Sequence, residues 1–184
     1  ITVGVGNLMN QAFYKGGNLY FALTTAVSVA NSAEDGVYWA ETQPQLTALD
    51  PANPQNQAVS GTIMRQAGIW AYNGADSYNA GFVGSSEDDG VLVLDYSSAS
   101  IAPSVAYTGR RATDAPGVMG VNGVSVAAIS GVNASGSGWE SYAGCSLDTN
   151  LTSRGLIWCA EQYGGPTTTP SGFGWDTYIF GLRA

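Results

Sequence analysis

Two carboxylates, Glu140 and Glu161, fall on neighbouring strand-like runs near the C-terminus. Glycoside hydrolysis needs such a pair facing each other across a cleft, one as acid and one as nucleophile or base. They are the candidate catalytic residues, set against the plainer reading of two strand carboxylates that face water. The turn Glu87-Asp88-Asp89-Gly90 gathers acidic oxygens. Asp88 and Asp89 are therefore candidate Ca2+ ligands, but no spacing supplies the six to eight oxygens such an ion takes. An acidic hairpin tip is the better reading, and no cofactor is expected. Trp70, Tyr72, Tyr78 and Trp139 sit in Gly-, Asn- and Ser-rich surroundings. Aromatic faces beside short polar side chains suit sugar rings, so these four, with Arg110, are the candidate ligand-binding residues. The alternative for each aromatic is packing between sheets. The chain has no His, which excludes Ser-His-Asp triads and zinc sites built on imidazole.

The whole chain narrows the classes further. It has 184 residues, of which 11% are charged, and a net charge of −8. An acidic chain is not a phosphate-backbone binder, so nucleic acid is not an expected partner. No apolar run reaches the ~20 residues of a membrane helix, so no membrane span is expected. Aromatics at 11% argue against disorder. Cys145 and Cys159 would lie opposite each other if a hairpin turned near Thr152. A disulfide is expected there, with two buried thiols as the alternative, and it implies a secreted protein. The sequons at Asn133 and Asn150 fit surface loops. The chain begins at Ile1 rather than Met, so a processed or excised chain is expected.

The elements that must carry these residues are strands. Runs such as Leu19–Thr24, Val91–Tyr96 and Leu156–Glu161 are rich in aliphatic and aromatic residues, and none keeps a helical period. Each follows a glycine turn and a short strand holding Ala12, Ala80 or Ala143, which are 68 and 63 residues apart. Each precedes a third strand, near Val37–Ala40, Pro103–Tyr107 and Trp175–Ile179. The first two units continue into a fourth, near Ala58–Met64 and Val121–Ile129. The expected fold is all-β, about three four-stranded blades of a β-propeller, in units 7–66, 67–131 and 132–184. Residues 1–6 are expected to complete the last blade. Three blades do not close a ring, so the partner is a second copy, a companion chain or the rest of a parent protein. An open sandwich is the alternative fold.

The stretch Tyr96–Arg110, with Pro103-Ser104-Val105-Ala106-Tyr107 and then Arg110, followed by Asp114-Ala115-Pro116-Gly117, resembles a family of secreted, mostly bacterial, sialidase-like β-propellers. So do Gly138–Ala143, Trp158–Tyr163 and Trp175–Ile179. Ser32–Trp39 is similar to the Asp box of that group, which implies a folded turn with Trp39 packed between blades. The sequence departs from the family at Gly138, Glu140-Ser141 and Gln162. A sialidase-type site implied by the resemblance would draw on Arg65, Arg110, Arg111, Arg154 and Arg183 with Asp95, Glu140, Asp148 or Glu161, but no spacing assigns those roles. Arg110 and Arg111 otherwise read as loop charges paired with Asp114. The expected function is a secreted, non-catalytic module binding a glycan or an extracellular partner. The alternatives are part of a glycoside hydrolase with a site shared between chains, and a structural subunit assembled by N-terminal strand exchange.

Overall fold

The computed structural model describes residues 9, 11–85, 89–120, 125–128, 143–150, 155–165 and 176–183. These residues are all-β and contain no helix. They form three antiparallel sheets, each a meander in which sequential strands pair. Sheet one holds β1 (Ala12–Lys15), β2 (Asn18–Val29), β3 (Ser32–Ala48) and β4 (Gln57–Trp70). Sheet two holds β5 (Asp76–Gly84), β6 (Gly90–Ser97), β7 (Ser104–Arg110) and β8 (Ser125–Ala128). Sheet three holds β9 (Gly144–Leu147), β10 (Leu156–Tyr163) and β11 (Asp176–Arg183), with β10 in the middle. The repeat read from the sequence thus corresponds to three successive sheets. Residues 1–6, Asn133, Trp139 and Glu140 lie outside the described residues, as do Glu87 and Asp88.

Period-two alternation explains how the sheets stack. Along β6, Leu92, Leu94 and Tyr96 point one way and join Tyr20, Ala22, Val37, Trp39 and Trp70 of sheet one in a buried core. Val91 and Val93 point the other way, into a second core with Cys145, Ile157 and Cys159 of sheet three. Sheet two is therefore covered on both faces, which is why β6 is a near-continuous apolar run. Trp39 is fully buried and meets Phe82 edge-on at 5.4 Å, across the seam between sheets one and two. Cys145 and Cys159 are directly opposed on β9 and β10 and are disulfide-bonded. A buried disulfide fits an oxidising compartment.

Three expectations need correction. The Asp-box-like segment Ser32–Trp39 is not a turn, because it runs as continuous strand within β3. The reversal comes just before it, at Ala30 and Asn31, which both take positive φ as a two-residue primed turn requires. Trp70 is not a loop residue, since β4 extends past Met64 and carries Trp70 into the core. Tyr78 is not exposed either. β5 begins at Asp76, and Tyr78 is 0% exposed.

Candidate functional site

Sheets one and two part at one edge around a cavity of about 300 Å3. Its wall includes Glu41, Arg65 and Gln66 from sheet one, and Arg110 and Asp114 from the end of β7 and the loop after it. A β-bulge builds the sheet-one side. Glu41 pairs with Gln66 and Thr42 with Met64, so Arg65 is the extra residue between them. Bulges re-aim side chains in this way and recur beside binding sites. Glu41 shares the inward face with Val37 and Trp39 and is 4% exposed. Its carboxylate is fixed at both oxygens: Asn18 Nδ2 donates to Oε1 at 2.7 Å and Gln66 Nε2 donates to Oε2 at 2.5 Å.

The opposite wall is held as firmly. Arg110 is 6% exposed, and its Nη2 donates to the Asp114 carbonyl at 3.3 Å. Asp114 Oδ2 accepts the Arg111 N–H at 2.7 Å. Asp89 pins this loop to the β5–β6 hairpin, since its Oδ1 accepts the Ala112 N–H at 2.8 Å and its carbonyl accepts the Ser85 N–H at 2.7 Å. Arg110 is therefore not the ordinary surface charge that its loop context suggested. It is nearly buried and lines the cavity.

A second polar cluster lies deeper, where all three sheets meet. Thr24 Oγ1 accepts the Asn79 N–H at 3.2 Å, and Asn79 Nδ2 donates to Asp95 Oδ2 at 3.2 Å. Asn79 takes φ +52°, a conformation Asn tolerates better than most residues. It stands at the irregularity between Tyr78 and Gly81. Asp95 lies on the face of β6 that meets sheet three, where Glu161 of β10 approaches it. Both carboxyls are fully buried. Neither oxygen of Glu161 has a well-formed hydrogen bond among the described residues. Burial, and then the charge of Asp95, push the Glu161 carboxyl well above the usual carboxylate range. Burial and Asp95 raise the Tyr78 phenol as well, while its O–H donates to Ser97 Oγ at 3.0 Å.

A raised acid beside a second carboxyl has the electrostatics of a proton donor. With both groups closed off from solvent, the pair as it stands holds a proton rather than a substrate. The reading of Glu161 as a solvent-facing carboxylate is thus corrected: Ile157, Cys159 and Glu161 share the inward face of β10. Of the predicted aromatics, Trp70 and Tyr72 lie together at 6.4 Å, and Tyr72 also meets Tyr96 at 5.7 Å. Tyr72 alone of these two is substantially exposed, at 40%. Arg110 lines the cavity and these aromatics do not. Sequence reasoning missed Glu41 and Gln66. The available signal was a polar residue at an inward position of an otherwise apolar alternation. Among the described residues no group of three or more acidic, His or Cys side chains could hold a metal ion. Compared with known proteins, no family, curated sequence or solved structure matches the chain.

Proposed function

We propose that the three sheets are successive blades of a β-propeller portion, and that the chain is a secreted, non-catalytic module binding a carbohydrate in the cavity between the first two. The observation that carries the reading is the cavity wall: two nearly buried charged side chains, Glu41 and Arg110, each fixed in place beside an opening of ligand size. A volume of about 300 Å3 is at the small end of ligand pockets, which run from roughly 300 to 1,000 Å3. That size suits one sugar unit of a longer chain. Preset polar groups favour a neutral or zwitterionic polyol over an apolar ligand, because an apolar guest would strip water from them without replacing its hydrogen bonds.

The hydrolase reading has less support. It needs two carboxylates reachable by one substrate, and Glu161 is 0% exposed. A glycan array with the purified chain, followed by calorimetry on any hit, tests the proposal. Arg110→Ala should weaken binding about tenfold or more without hydrolysis at any stage. Equal affinity in wild type and Arg110→Ala would remove the cavity from consideration. Turnover of an aryl glycoside that vanishes in Glu161→Gln would put the hydrolase first.

A further inference from the structure

Four charged side chains line the cavity, and they balance in sign: Glu41 and Asp114 against Arg65 and Arg110. The two acids nevertheless turn to neutral partners. Glu41 is 4% exposed, and its hydrogen bonds come from the side-chain amides of Asn18 and Gln66. Asp114 accepts the backbone N–H of Arg111 rather than a guanidinium. Arg65 is exposed, at the bulge between the pairs Glu41–Gln66 and Thr42–Met64. Among the described residues neither acid forms an ion pair, and nor does Arg65. Asn18 and Gln66 each fill one position on a Glu41 oxygen, and a carboxylate offers about four in all. The amide donors satisfy those positions without cancelling the charge. A nearly buried carboxylate in this state gains most from a cationic donor. It loses most when a guest covers it and brings no countercharge. Arg65 sets the converse condition for an anion.

We propose that the cavity selects a sugar unit bearing both a protonated amine and an anionic group, with the ammonium on Glu41 and the anion on Arg65. The inference rests on the carbohydrate reading of this cavity and adds the class of its ligand. A neutral sugar leaves both charges unanswered. A sugar with one charge answers the first and strips water from the second at a cost. A sugar with both replaces the hydration of each. At Glu41 it meets a carboxylate that two amides already hold in place, so little ordering remains to be done on binding.

Calorimetry and NMR titration with single sugar units test it. Glucosamine 6-phosphate, glucosamine, glucose 6-phosphate and glucose carry both charges, one of them, or neither. 2-Amino-2-deoxyglucuronic acid, with a carboxylate in place of the phosphate, tells which anion is preferred. The wild-type chain should bind a doubly charged sugar about tenfold or more tighter than glucosamine, glucose 6-phosphate or glucose. Glu41→Gln should lose the preference for the amine and keep that for the anion. Arg65→Gln, at an exposed position, should do the reverse, and it remains informative if Glu41→Gln fails to fold. Equal binding of all the sugars, weakened in Arg110→Ala, would overturn the inference and leave the cavity as a sugar site. Glucosamine binding as tightly as its phosphate would also overturn it, because a chain of net charge −8 would then be attracting cations at large. No binding of any sugar, or binding unchanged in Arg110→Ala, would overturn the carbohydrate reading of the cavity itself.

Discussion

Glu161 is an acid placed where ionisation is expensive. Both of its oxygens are out of solvent, and a second carboxyl, Asp95, lies close enough to raise it further. The folded chain therefore binds the Glu161 proton more tightly than the unfolded chain, in which a Glu titrates near 4.3. Above that pH the unfolded state has lost the proton and the folded state has kept it. Stability therefore falls as pH rises, by up to about 1.4 kcal/mol per pH unit for one proton, until the raised folded value is passed. Glu161→Gln keeps the shape and removes the titration. Urea unfolding from pH 4 to 8 should show a declining stability in the wild type and a flatter profile in the variant. The stability of the variant relative to the wild type should therefore rise steadily from pH 4 to 8. Parallel pH profiles would mean that Glu161 ionises freely and that the cluster is open to water. The sequence made half of this legible. Glu161 alternates with Cys159 and Ile157, so its inward direction follows from period two. That it meets Asp95, in a different sheet, depends on how two sheets stack, which no local pattern encodes.

At the scale of the strands, alternation was the readable signal and irregularity was not. The three central strands, the hairpin partners and the opposed cysteines all follow from apolar runs, turn residues and spacing. The bulge at Arg65 does not, although it shapes one wall of the cavity. One extra residue in a fourteen-residue strand leaves the composition unchanged and alters only the pairing. Close approach of sheets is similarly hidden in single glycines. Gly84 ends β5 under the ring of Tyr20, so a Cβ there would overlap the ring itself. That ring is locked between Phe13 at 6.3 Å and Phe82 at 5.6 Å. Gly84→Ala should therefore destabilise the chain by about 1–3 kcal/mol, read as a lower denaturation midpoint at unchanged slope. Gly144, whose Cβ would meet nothing within 4 Å, is the control, and Gly144→Ala should cost far less. Equal losses at the two sites would show that the sheets separate more easily than their packing implies.

At the scale of the molecule, stability is unevenly distributed along the stack. Sheet two is covered on both sides, sheet one contributes four long or paired strands, and sheet three among the described residues contributes three. Sheet three is also where the disulfide sits, joining β9 to the centre of β10 and facing the valines of sheet two. The covalent link closes a loop of about 15 residues, for which chain entropy predicts a contribution of about 3 kcal/mol. Because the bond lies wholly within sheet three, reduction should act there first. Amides of Gly144–Leu147 and Leu156–Tyr163 should exchange faster in the reduced chain, while those of β2 and β3 keep most of their protection. The same loosening would uncover Val91, Val93 and Val105, so reduced protein should bind a hydrophobic dye before the buried sheet-one tryptophans, Trp39 and Trp70, are released. The competing outcome is equal acceleration in every sheet. It would mean that the seam between sheets two and three, with Asp95 and Glu161 at its centre, transmits the loss across the whole stack, and that the three sheets unfold as one cooperative unit.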